Sequence, residues 1–214
     1  MTAFLNAFRG PRLALLLTLF AAAVALGGCT LSRPAPIKHT FLLDPPPVAP
    51  MARAHAQALR VGTINVAAPF RGRTFIYRST ALKFEVDFYS EFLVAPSAMI
   101  GEVTARALDK AGVFSRVIPP GAPPDGDLVL DGFVSALYGD VRDPARPEAE
   151  LAISFYLSRA DSATSTPVWS RDYQRRVPVP EATPEGHARA LSGALGEIIA
   201  DLARDLAAAD LGRK

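Results

Sequence analysis

Alternating apolar and polar positions divide this chain into short elements. The cleanest alternation covers residues 82–92, where Leu82, Phe84, Val86 and Phe88 interleave with Lys83, Glu85 and Asp87. A period of two puts one set on a buried face and the other in water, so this stretch predicts a half-buried strand. The same pattern predicts strands at residues 39–43, Ala58–Val66, Thr74–Arg78, 113–117, 127–138, 150–159 and 167–177. In Ala58–Val66 it sets Leu59, Val61, Thr63 and Asn65 on one face and Arg60, Gly62, Ile64 and Val66 on the other. Gly132 marks a bend in the 127–138 strand, which pairs with 150–159 as an antiparallel hairpin across the proline-rich turn between them.

The period changes after Pro96-Ser97. Ile100, Val103, Ala107 and Ala111 follow at spacings of three and four, the face of a helix with Ser97 as its N-cap, Lys110 in its last turn and Gly112 just beyond. A second helix starts at Thr183, the N-cap, with Pro184 at its first position. Its stripe is Leu191, Leu195, Ile198, Leu202 and Leu206, with Glu197, Asp201, Arg204 and Asp205 mainly elsewhere. An acidic polar face suits docking on a sheet better than lying on a membrane, where basic faces are favoured. Strands, helix, strands, helix, joined by short loops, predict one α+β domain, a mainly antiparallel mixed sheet with two packed helices.

The N-terminus follows another pattern. Arg9 and Arg12 precede an apolar run at residues 13–26, which stops at two glycines and the single cysteine of the chain. The run is shorter than the roughly 20 residues of a membrane span, and its basic start and small-residue exit make it a secretory signal. Leu26, Gly27, Gly28 and Cys29 resemble the lipobox of bacterial lipoproteins. There the Cys29 sulfur takes a diacylglyceryl group, the small residues admit a signal peptidase, and the freed amine takes an N-acyl chain. The expected organisation is a signal peptide at 1–28, a lipidated cysteine and tether at 29–38, and the domain at 39–211, preceded in this way by a lipoprotein signal peptide. Thr30 stands where, in the best-known bacterial sorting system, an Asp retains a lipoprotein in the inner membrane; its absence resembles outer-membrane cargo facing the periplasm, with the inner membrane the alternative.

Composition narrows the function. The leader holds two of the 23 Lys and Arg residues and no acid, so 21 bases face 21 acids in the rest. A neutral chain without a basic run gives no support for nucleic-acid binding. Acylation consumes the one cysteine, so the domain folds without disulfides. His39, His55 and His187 show no metal-site spacing, and are expected at the surface. Neither a nucleophile elbow nor a phosphate loop occurs, so no catalytic residue, metal or cofactor is expected and any ATP hydrolysis belongs to a partner. Glu85 and Asp87 beside Lys83 read as a solvated face. Arg175 and Arg176, adjacent on a strand, point to opposite sides and cannot share a site. Aromatics and Arg concentrate at interface hot spots, which makes Tyr77, Arg78, Tyr89 and Phe92, with Phe88 beside them, the candidate partner contacts; core packing is the competing role for Tyr77 and Phe88.

The order of features from Phe41 to the final helix resembles the ABC-type transport auxiliary lipoprotein family, whose members include the outer-membrane lipoprotein of the Pqi system. The lipobox, Phe41-Leu42-Leu43-Asp44 with its proline break, Ile76-Tyr77-Arg78, an aromatic strand, the proline-started helix and its exit into Gly112-Val113-Phe114-Ser115-Arg116-Val117 carry the likeness. Phe92-Leu93-Val94-Ala95-Pro96 stands where the family usually has a Trp. The resemblance implies a non-catalytic, lipid-anchored partner of an ABC-type system, with an MCE-domain protein, a permease and an ATPase, moving lipid between the two membranes. A scaffold of another envelope machine and a periplasmic enzyme of unrecognised type are the alternatives.

Replacing Cys29 by Ala is expected to abolish metabolic labelling with palmitate and to leave an unprocessed precursor on gels. Normal processing would overturn the lipobox.

Overall fold

β6 (Leu128–Asp140) is the strand on which the sheet is built. One edge carries β7 (Glu148–Arg159) along its whole length, antiparallel, and β8 (Trp169–Pro178) continues beyond in the same sense. The other edge is shared. Its first half pairs parallel with β2 (Ala58–Val66), beyond which lies β5 (Arg116–Ile118), and its end pairs parallel with β3 (Thr74–Arg78). β3 forms an antiparallel hairpin with β4 (Phe84–Phe92), whose end pairs parallel with β1 (His39–Phe41). This is a computed structural model, and it describes residues 37–123, 125–160 and 166–211. Leu26, Gly27, Gly28 and Cys29 lie outside the described residues. The chain divides into a unit Met1–Ile37 and a unit Lys38–Lys214, and every element named here belongs to the second.

Two helices, α1 (Pro96–Ala111) and α2 (Pro184–Ala208), cover one face of the sheet. α1 packs on β2 and β5, and α2 on β7 and β8. Most of the predicted stripes enter the core: Ile100, Val103, Ala111, Leu195, Ile198, Leu202 and Leu206 are buried, with Leu108 beside them, while Ala107 is half-buried. They meet Leu59, Val61, Leu130, Leu151, Ile153 and Phe155 from the strands. The mixed, mainly antiparallel α+β architecture is as expected, since the longest ladders, β6–β7 and β7–β8, are antiparallel.

Several local expectations change. α1 begins two residues early, with Ala95 rather than Ser97 as the N-cap, and Ala95 offers no side-chain bond. Pro96 takes the first helical position because its ring fixes φ there, and Ser97 falls inside the first turn. At α2 the Thr183 hydroxyl does cap, accepting the Gly186 N–H at 3.0 Å. The faces of β2 swap midway: Leu59 and Val61 are buried, and so are Ile64 and Val66. A bulge between Val61 and Ile64 reverses the alternation. Asp131 accepts the Thr63 N–H there at 2.7 Å, and a Cβ on Gly62 would lie 2.4 Å from the same carboxylate oxygen. Val113 and Phe114 are buried but lie before the strand, where the Val113 carbonyl accepts the N–H groups of Ala54 and His55. The proline run after β1 packs on α2: Asp44 N–H donates to Ser192 Oγ at 3.1 Å, and a methyl at Gly196 would meet Pro46 at 2.9 Å.

The histidines divide. His39 is exposed as expected. His55 is half-buried, stacks on Phe114 at 5.1 Å, and donates from Nε2 to the Leu206 carbonyl at 2.8 Å. His187 is only 3% exposed, because α2 lays its first turn against β3. Its ring packs between Phe75 and Tyr77, at 5.5 and 5.1 Å, where Gly139 leaves room. Burial lowers its pKa to about 4, against a weaker upward pull from Asp87.

The sign of the pH effect follows. The unfolded chain takes up a proton below its ordinary pKa of 6.5, whereas the folded chain resists until about 4. Stability is therefore complete above pH 6.5 and falls as the pH drops through that window. Between pH 7 and pH 4.5, urea denaturation is expected to show the native chain losing about 2 to 3 kcal/mol more than His187→Gln, which lacks the titrating ring. Equal losses would contradict the buried neutral histidine.

Candidate functional site on the uncovered sheet face

The most regular alternation in the sequence is not half-buried in the sense predicted. Leu82 is 94% exposed, Val86 62%, Phe88 67% and Phe84 44%. The reason is tertiary. β4 lies toward the side of the sheet away from α1 and α2, and the face carrying Phe84 and Val86 is turned from both helices. The polar set is mixed. Lys83 and Glu85 do form a solvated pair, at 2.6 Å. Asp87 does not: its Oδ1 accepts the N–H groups of Tyr89 and Ser90, at 2.8 and 3.0 Å, and folds the strand into an irregular step. That step is what lets one strand be exposed at its start and buried at its end.

The four predicted contact residues do not form one surface. Tyr77 faces the helices, half-buried against His187, and burial with the neighbouring Asp87 carboxylate raises its pKa. Phe92 is 3% exposed and packs on Phe75 with ring centres 4.7 Å apart, so it belongs to the core and presents nothing to a partner. Arg78 is on the uncovered face, with its guanidinium 5.7 Å from the Phe84 ring centre. It also donates to the Ala81 and Thr80 carbonyls at 3.0 and 3.3 Å, which ties it to the β3–β4 turn. Tyr89 is 51% exposed and meets Phe88 edge-on at 5.6 Å.

What assembles instead is a strip along β4: Leu82, Phe84, Val86, Phe88 and Tyr89. Its inner border is an aromatic cluster. Phe70, in the one-turn helix Ala68–Phe70, stacks on Tyr138 at 5.6 Å, and Phe84 meets Tyr138 edge-on at 5.4 Å. Its outer border is charged: the Lys38 ammonium stands 5.5 Å from the Phe88 ring centre and 3.7 Å from Glu91, which also pairs with Arg73. Beyond Tyr138 the uncovered face turns polar. Tyr138 donates to buried Glu150 at 2.8 Å, Gln174 donates to its other oxygen at 2.7 Å, and Arg176 reaches it at 3.1 Å. Burial and the bond to Glu150 raise the Tyr138 pKa, so the hydroxyl stays protonated as a donor. Arg175 points the other way, to Asp201 and Glu197 on α2, as the strand geometry requires.

Among the described residues no group of three or more His, Cys, Asp and Glu side chains gathers, and no helix is long and apolar enough to cross a membrane. The strip offers contact area, not a reacting group. Exposed apolar side chains grouped in this way make the strip the candidate interaction surface.

No protein-family model and no curated protein matches this sequence. Solved structures do share its fold. A Xanthomonas campestris protein described under the DUF330 family model superposes with a TM-score of 0.67 at 18% identity, over 77% of this chain and 92% of that one. A protein described as uncharacterized gives 0.62 at 13%, over 79% and 99%. At these identities the likeness establishes the fold.

The placement of the two phenylalanines is open to a direct check by denaturant unfolding. Phe92→Ala is expected to cost about 3 to 5 kcal/mol, since it opens a core cavity. Phe88→Ala is expected to stay within about 0.5 kcal/mol of the native chain.

Proposed function

We propose that this chain is a non-catalytic, lipid-anchored accessory component of an ABC-type envelope transport system, with an MCE-domain protein, a permease and an ATPase as partners. It serves lipid traffic between the inner and outer membranes, held on the outer membrane by acylated Cys29 and facing the periplasm. The observation that carries the reading is the exposed apolar strip of β4 on a domain that follows a lipobox. Such a chain is built to be held at a membrane and to be covered by something there.

The side chains that could have carried chemistry are engaged in structure. His187 fills a gap beside Gly139, His55 ties the loop before β2 to the end of α2, and Glu150 is satisfied by three donors. The fold shared with the Xanthomonas campestris protein agrees with the α+β domain that the order of strands and helices predicts. The named partners and the lipid cargo come from that resemblance.

Affinity capture of the tagged, acylated chain from detergent-solubilised envelopes is expected to recover a permease, an ATPase or an MCE-domain protein. Recovery of none of these, with the chain intact and acylated, would overturn the transport assignment.

A further inference from the structure

The point where the chain enters the folded unit lies beside the apolar strip. The chain enters the folded unit at Lys38, whose ammonium stands over Phe88, and β1 runs beside Ser90–Phe92 of β4. Lys38 lies nine positions after Cys29, a reach of at most ~32 Å. An acylated Cys29 therefore holds this corner of the domain close to the bilayer. The other exposed aromatics of the sheet, Phe133 and Tyr156, sit on β6 and β7, with β3 between them and β4.

We propose that the β3–β4 hairpin rests on the bilayer to which Cys29 is attached, with Leu82, Val86, Phe88 and Tyr89 entering the boundary between headgroups and acyl chains. The occupant of the strip is thus a lipid surface. This deepens the reading above and rests on its lipobox.

The shape and chemistry of the hairpin fit that occupant. Leu82, 94% exposed at the turn, is a protruding tip. Tyr89 has an apolar ring and a polar end, the amphipathic form suited to a membrane interface. Lys83 and Lys38 flank the strip on long stems that keep the charge in water while the carbons lie along apolar surface. Both are matched by acids, Lys83 by Glu85 and Lys38 by Glu91. The hairpin brings little net charge, so the attraction comes from apolar burial and resists salt. It also fixes the domain's orientation, since an acyl tether alone leaves the domain free to rotate.

The test uses the mature chain, residues 29–214, carrying Cys29→Ser so that no acyl chain contributes. The compact unit Lys38–Lys214 is retained whole in this chain. Flotation with phosphatidylethanolamine–phosphatidylglycerol vesicles at about 1 mM lipid is expected to carry the chain upward. Binding is expected to persist in about 0.5 M salt, where exposed charges are screened. The double variant Val86→Asp, Phe88→Asp is expected to lower the bound fraction about tenfold, because charge replaces buried apolar area. Phe133→Asp is expected to change nothing, and unchanged melting temperatures keep both variants interpretable. No flotation of the unvaried chain, loss of binding in salt, or an equal loss from Phe133→Asp would overturn the proposal. So would sedimentation showing an oligomer that the double variant dissolves while vesicle binding is unaffected, since a second copy would then cover the strip. Failure here with transport partners still captured leaves the transport reading standing; flotation without such capture does the reverse.

Discussion

Burial of the α2 stripe against β7 and β8 is the interaction on which the rest depends. Leu191, Leu195, Ile198, Leu202 and Leu206 are almost wholly removed from water, and each is worth about 1.5 to 3 kcal/mol of transfer free energy. That contact commits one face of the sheet to the helices. It seats the first turn of α2 on β3, which buries His187 beside Tyr77 and Gly139. It also gives the proline run after β1 a surface to pack on, at Ser192 and Gly196. The opposite face is left to manage its own exposure.

That face does so in two ways. Around Glu150 it is polar and satisfied, with Tyr138, Gln174 and Arg176 converging there, while Phe133 and Tyr156 stand partly exposed farther along β6 and β7. Near β4 it is apolar and unsatisfied. A buried carboxylate with three donors is stable without further cover, whereas an exposed run of Leu, Val and Phe gains by being covered. The division between these halves falls at the Phe70–Tyr138–Phe84 cluster. Function on this sheet is therefore expected at the β4 end, beside which the chain enters the domain at Lys38.

Coverage is limited by geometry. A helix is about 10 Å wide and strands lie about 4.8 Å apart, so each helix shields about two strands. Two helices cannot cover eight strands on even one face. Counted from the sequence, that ratio says some strand must remain bare, but not which one. The answer depends on strand order: β3 and β4 are placed on the far side of β6 from β7 and β8, and parallel crossovers set that order. The alternation of Leu82, Phe84, Val86 and Phe88 was legible as a strand, and its apolar face was misread as core because periodicity reports a two-faced element and not what lies against either face.

The same boundary runs through the other residues. Local chemistry determined the elements: Thr183 and Pro184 start α2, Gly112 ends α1 with a left-handed φ of 73°, and the opposite directions of Arg175 and Arg176 follow from the strand itself. Local chemistry also wrote the Leu26-Gly27-Gly28-Cys29 leader, which resembles a lipobox with no folded context needed. Tertiary structure decided the fate of side chains whose role depends on neighbours distant in sequence. Phe92 went to the core while Phe88 stayed outside, because Asp87 folds the strand between them. His187 went inside because Phe75, Tyr77 and Gly139, from two other strands, meet it there. Backbone preferences and short motifs act over a few residues and can be read directly. Burial is a property of what comes together, and only the assembled sheet sets which apolar face the helices take and which stays exposed.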